Sequence, residues 1–125
     1  MSGVPDPRAM PDGSFPSAAS PLAALVTTTL PTEADAGRIA ETVVTERLAA
    51  CAQVQGPIQS TFRWQGQVDH STEWYLHCKT SLPCVTELMT RLKSLHPYEV
   101  PEIVSTPIVA GYQPYLSWIE EMTRR

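Results

Sequence analysis

Two stretches of this chain carry apolar residues at helical spacing, and a long β-rich run with a turn in its middle separates them. The first stripe is Ala36, Ile39, Ala40, Val43, Val44 and Leu48; the second is Val85, Leu88, Met89, Leu92 and Leu95. Residues three and four apart share one side of a helix, so each stretch predicts an amphipathic helix with a single face to bury. The first helix follows Thr32, which opens TEAD, a capping-box-like start with Asp35 in the usual Glu or Gln place. The second follows Ser81, with Pro83 in the first turn where a missing N–H costs little, and Pro97 ends it.

Around these helices the chain reads as strands. LAALVTTT (22–29) is a short apolar, β-branched run, as expected of a buried strand. Cys51 to Trp64 predicts a long strand with a bend or bulge at Gly56-Pro57. Gln65-Gly66-Gln67 is a turn, and VDHSTEWYLHCKT (68–80) returns as the partner strand. IVSTPIV (103–109) closes the set, with Pro107 marking an edge or bulged position. After Gly111, PYLSWIEEM predicts a terminal helix packing through Tyr115, Leu116 and Ile119. The order β-α-β-β-α-β plus one helix defines an α+β, ferredoxin-like split βαβ plait: an antiparallel sheet with two helices on one face. The other face then needs a cover. Trp64, Trp74 and Tyr75 on the hairpin have nothing internal left to bury them, and exposed aromatic patches mark subunit contacts. An oligomer is expected.

At 125 residues the chain makes one domain with a core of its own. Its 42% hydrophobic and 18% charged residues are those of an ordinary globule. A net charge of -4 without clustered Lys and Arg argues against a nucleic-acid partner. No apolar run approaches the roughly 20 residues that span a bilayer, so no membrane partner is expected. Residues 1–21, rich in Pro, Ser, Ala and Gly, cannot bury enough apolar surface to offset their ordering entropy. They are expected to form a disordered tail, leaving 22–125 as the folded domain. Cys51, Cys78 and Cys84 show no metal or disulfide spacing, and the N-terminus lacks a secretory pattern. Reduced thiols in a cytoplasmic protein follow.

The chemistry concentrates in LHPYEVPEI (95–103), where Pro97 and Pro101 hold their neighbours extended and fix the presentation of His96, Tyr98, Glu99 and Glu102. His96 either closes the second helix, where a cationic side chain suits the dipole, or ligates a metal, or serves as a donor in a ligand pocket. Cys51 is either a small buried hydrophobe or a soft thiolate for Cu(I). Tyr98, Glu99 and Glu102 either stiffen the approach to the last strand, with Tyr98 at a subunit seam, or join Lys79 and Trp64 around an intersubunit cleft for a cation or small polar ligand. Lys79 itself pairs with Glu99 or Glu102 or faces water. His70 and His77 sit on the hairpin in solvated or interface positions. No nucleophile with a base, no GxSxG and no phosphate-binding loop is present, so no enzyme is expected.

ERLAAC (46–51), Trp-Gln-Gly at 64–66, CKT (78–80), HPYEVPEI (96–103) and YLSWI (115–119) together resemble the CutA divalent-cation tolerance family over residues 22–125. The resemblance implies a stable homotrimer of ferredoxin-like subunits, similar in architecture to the PII signalling proteins, with a link to copper tolerance and no established reaction. It also implies a copper site with a cysteine at the end of the first strand and two adjacent histidines before Pro-Tyr. Here those positions read Thr28 and Leu95, and only His96 remains. One imidazole is a poor Cu(II) site, since that ion prefers about four N or O ligands. The expected metal set is therefore His96, Cys51 and Glu99, with no required cofactor and only weakly held copper or another divalent cation. The expected ligand cleft is Trp64, Lys79, Tyr98 and Glu102. The functional expectation is a non-enzymatic, copper-responsive homotrimer. The alternatives are a PII-like small-molecule sensor or a trimeric scaffold for another protein.

Overall fold

The run AALVTTTL lies inside the sheet, flanked on both sides. In the computed structural model, which describes residues 22–124, it forms β1 (Ala23–Leu30). The other elements are α1 (Glu33–Thr45), β2 (Cys51–Trp64), β3 (Gln67–Thr80), α2 (Val85–Leu95), β4 (Ile103–Ile108) and α3 (Gln113–Met122). The strands pair antiparallel in the order β2-β3-β1-β4, so the split βαβ order with an added C-terminal helix is observed. The proposed tail, residues 1–21, lies outside the described residues.

Strand alternation sorts β1 onto two faces. Val26, Thr28 and Leu30 face the helices, while Leu25, Thr27 and Thr29 face the other way. The main core joins Val26, Leu30, Leu76 and Cys78 of the sheet to Ala36, Ile39 and Val43 of α1 and Leu88 and Leu92 of α2. All nine are fully buried. Each large aliphatic among them contributes roughly 1.5–3 kcal/mol by leaving water. Trp74 corrects the sequence expectation: it packs against this core on the helix side rather than adding to the open face. A Cβ at Gly56 would run into its indole, which explains the glycine in the bend. The expected irregularity is present there as a register shift between Gln55 and Ile58.

Local chemistry sets the element ends. Thr32 caps α1 by accepting from the Asp35 N–H at 3.0 Å, while the Asp35 carboxylate takes Arg38 at 3.2 Å. The helix stops in a Schellman turn, with Leu48 N–H on the Val43 carbonyl and Arg47 N–H on that of Val44. Arg47 holds φ 61 in this turn, a position that usually takes glycine. Ser81 does not cap α2 through its side chain as the sequence suggested. A 3-10 turn (Leu82–Cys84) comes first, and the Ser81 hydroxyl instead accepts from Thr123 at 2.7 Å, fastening the C-terminal helix. The hairpin turn is tight: Gln65 and Gly66 both take positive φ between paired Trp64 and Gln67, as a two-residue turn of primed type requires. Residues 61–70 are all exposed.

Candidate functional site

His96 stands where α2 ends, and the chain turns extended there because Pro97 disfavours helix in the residue before it. That turn swings the imidazole inward against the end of β1. Its Nε2 lies 2.8 Å from the Thr29 carbonyl oxygen and 3.0 Å from Thr28 Oγ1. Its Nδ1 lies 3.1 Å from the Tyr98 backbone nitrogen. A backbone N–H can only donate and a carbonyl can only accept, so Nδ1 is the acceptor and Nε2 carries the proton. The side chain is thus a neutral imidazole with both nitrogens engaged. Burial pushes its pKa below the ordinary value, and nearby Lys93 pushes the same way. The Thr29 carbonyl, Glu73 and Asp35 oppose that shift.

Tyr98 extends the arrangement to a third strand. Its hydroxyl donates to Glu73 Oε2 at 2.8 Å, and its ring lies 5.0 Å from the imidazole. Glu73 is buried to 8% exposure, so this hydroxyl supplies the partner that a buried carboxylate requires. Burial first, and then this hydrogen bond, raises the Tyr98 pKa well above the usual phenol range. Thr29 and Glu73 were not singled out from the sequence, and Thr28 was noted only as the residue standing where the resemblance puts a cysteine. An acid inside a strand of aromatic and aliphatic residues, TEWYL, was the available signal for Glu73.

The other expected site residues lie elsewhere. Cys51 pairs through Lys79 with Leu25, three residues before Thr28 along β1 and on the opposite face. There its Sγ lies 3.4 Å from the Tyr115 hydroxyl. Burial, followed by this contact, pushes the Tyr115 pKa up to about 12. Lys79 does not meet Glu99 or Glu102. It donates to Gln53 Oε1 at 2.7 Å and lies over the Tyr115 ring at 5.9 Å. Glu99 lines a groove of about 480 Å³ between α2 and the segment entering β4, with Met89, Lys93, Val100 and Pro101. Glu102 is exposed just before β4, and Trp64 is 59% exposed at the hairpin tip. Within one chain neither expected set is gathered. The open face instead carries a polar network, in which Thr27 Oγ1 meets His77 Nδ1 at 3.2 Å and His77 Nε2 meets Gln55 Oε1 at 3.0 Å.

A divalent cation does not fit the described residues of a single chain. Among the described residues no three His, Cys, Asp or Glu side chains cluster, and the one imidazole at the expected place has no lone pair to spare. Thr28 also supplies a hydroxyl where the resemblance puts a thiolate.

Fold and site geometry define a four-stranded α+β plait with a proline-fixed loop pinned to its central strand. The chain belongs to the CutA1 divalent ion tolerance protein family, whose model matches residues 24–122. It is 44% identical over 99 residues to the divalent-cation tolerance protein CutA of Thermus thermophilus, covering 79% of this chain and 96% of that protein. The crystal structure of CutA from Xylella fastidiosa superposes with a TM-score of 0.80 at 36% identity, covering 82% of this chain and 98% of the other. CutA from Archaeoglobus fulgidus, described as periplasmic, superposes with a TM-score of 0.79 at 32% identity, covering 82% and 99%. That description differs from the cytoplasmic expectation, so family membership alone assigns no compartment to this chain.

Proposed function

We propose that this chain acts as a non-enzymatic divalent-cation tolerance protein, assembled as a homotrimer whose subunits cover one another's open sheet faces. One observation carries the assembly: the described residues of a single chain leave the edges of β2 and β4 unpaired, and the outer half of the hairpin exposed. Unpaired edges invite pairing with other chains, and native proteins cover or blunt them. The cation reading rests on family membership and on His96.

Because the expected ligands lie apart in one chain, a cation shared between subunits would draw on His96 with Glu99 or Cys51 of different copies. The cleft residues Trp64, Lys79, Tyr98 and Glu102 would likewise come together only between subunits. Copper binding is then weak, with a dissociation constant on the order of micromolar or poorer, about 8 kcal/mol or less.

Light scattering tests the assembly, and a mass of about three times the 13.7 kDa chain is expected. A monomer at micromolar concentration contradicts it. Calorimetric titration with copper tests the cation reading. Weak uptake abolished in His96→Ala supports it, and nanomolar binding that survives the substitution contradicts it.

A further inference from the structure

The chain enters the described domain beside α3. Leu22 donates its N–H to the Ile108 carbonyl at 2.8 Å and packs on the cluster of Ala23, Ala50, Leu116 and Ile119. From the N-cap of the same helix, Tyr112, Tyr115 and Trp118 follow at intervals of three, and all are exposed. The Tyr115 and Trp118 rings stack at 5.6 Å with 24° between their planes. We propose that this aromatic shelf is the docking surface for the chain's own N-terminal segment, residues 1–21, laid on it as a polyproline II strand.

The chemistry of the two partners matches. The segment carries Pro5, Pro7, Pro11, Pro16 and Pro21 and few large aliphatic residues. Such a composition builds no core, but docking asks for none. Proline presets the polyproline II backbone, and grooves and ledges lined by aromatic rings recognise that helix through its proline faces. Little of its remaining freedom is then lost on binding.

The geometry is equally short-range. Ile108, which holds Leu22, precedes Tyr112 by four residues, so the segment leaves the domain next to the shelf. Tyr112 to Trp118 spans roughly 9 Å of helix at the usual rise. Three or four residues of polyproline II, at about 3.1 Å each, cover that length. Tethering also places the segment at an effective concentration of order millimolar, so individually weak proline contacts suffice.

An independent feature stands at the head of the shelf. The Gln113 amide donates to Ser117 Oγ at 3.0 Å, while its Oε1 is out of water with no hydrogen-bond partner among the described residues. Buried acceptors nearly always have a donor. A polyproline II strand makes no internal hydrogen bonds, and the N–H groups between its prolines can supply one.

The test is nuclear magnetic resonance on the full-length chain, labelled with carbon-13 and nitrogen-15. Docking predicts Overhauser contacts between proline protons of residues 1–21 and the rings of Tyr115 and Trp118. It also predicts order parameters above about 0.6 for amides beside those prolines. Replacing the prolines together (Pro5→Ala, Pro7→Ala, Pro11→Ala and Pro16→Ala) should drop these values below about 0.6. The same change should move the Trp118 indole N–H signal and leave that of Trp74 in place. Trp118→Ala should release the segment likewise, and the proline variant decides the matter if Trp118→Ala does not fold. Order parameters below about 0.6 throughout residues 1–21 of the parent overturn the proposal. So does a Trp118 signal indifferent to the proline substitutions. A sample refolded from labelled and unlabelled chains, read with isotope filters, identifies the occupant. Contacts confined to one chain support the proposal. Contacts from Trp118 only to another copy, whether to its segment or its domain, overturn it.

Discussion

The two faces of the sheet find partners for their groups in different ways. On the helix side the partners come from the chain itself: α1 and α2 bury the apolar residues of β1 and β3, and the proline-fixed loop completes His96. On the open side the strands carry Thr27, His77, Gln55, Gln53 and Lys79 in a network of side-chain hydrogen bonds, and α3 covers only the end near Ala23 and Ala50. One face is closed by sequence-local elements. The other, with the hairpin beyond it, is left for neighbouring copies under the proposed assembly. Under that assembly, folding and association each take their own side of one sheet.

The largest expected break in this contrast is Leu88→Ala. Leu88 is fully buried between α2 and the sheet, and truncating such a side chain costs about 2–5 kcal/mol. Urea melts of the parent and variant should show that loss in the midpoint at an unchanged slope. Gly56→Ala comes next. It drives a methyl group into the Trp74 indole, and overpacking of this kind costs about 1–3 kcal/mol. Calorimetric melting should detect it, and a variant as stable as the parent would show that the β2 bend moves freely.

Tyr98→Phe sharpens the contrast at the tie between the loop and β3. It leaves the Glu73 carboxylate buried without a donor, at a cost of about 1–3 kcal/mol. Adding Glu73→Gln should recover part of the loss, because a neutral amide is less costly to bury than an unpaired charge. The smallest effect is that of pH. The folded state lowers the His96 pKa, so above about pH 6.5 the imidazole is neutral in both states and its contribution is complete. As the pH falls below that, the unfolded chain takes up the proton first, and stability declines until the folded-state pKa is passed. The slope is at most about 1.4 kcal/mol per pH unit, and it should flatten in His96→Gln.

Sequence legibility followed the same division. Both helices, the hairpin, the bend at Gly56 and the edge position of Pro107 were readable, because each depends on local periodicity or on backbone chemistry. Trp74 was misplaced because it was grouped with its neighbour Tyr75, whereas alternation along β3 turns adjacent residues to opposite faces. The site was legible only in part. Proline spacing flagged His96 and Tyr98, but their partners are a carbonyl of β1 and a carboxylate of β3, more than twenty residues away in sequence. Lys79 and Cys51 were drawn towards the loop by residue type, whereas alternation turns both to the opposite face.

Hydrogen exchange across the whole sheet at neutral pH tests the separation of the two sides most directly. The account predicts slow exchange in β1 and β3 from the chain's own ladder. It predicts equally slow exchange at the outward amides of β4 and of residues 58–64 in β2, the two edges that no other described strand of the chain covers. Dilution should release the second set before the first. Rapid exchange at β4 and the hairpin under conditions where β1 and β3 are protected would contradict it, showing that these edges face water rather than another subunit.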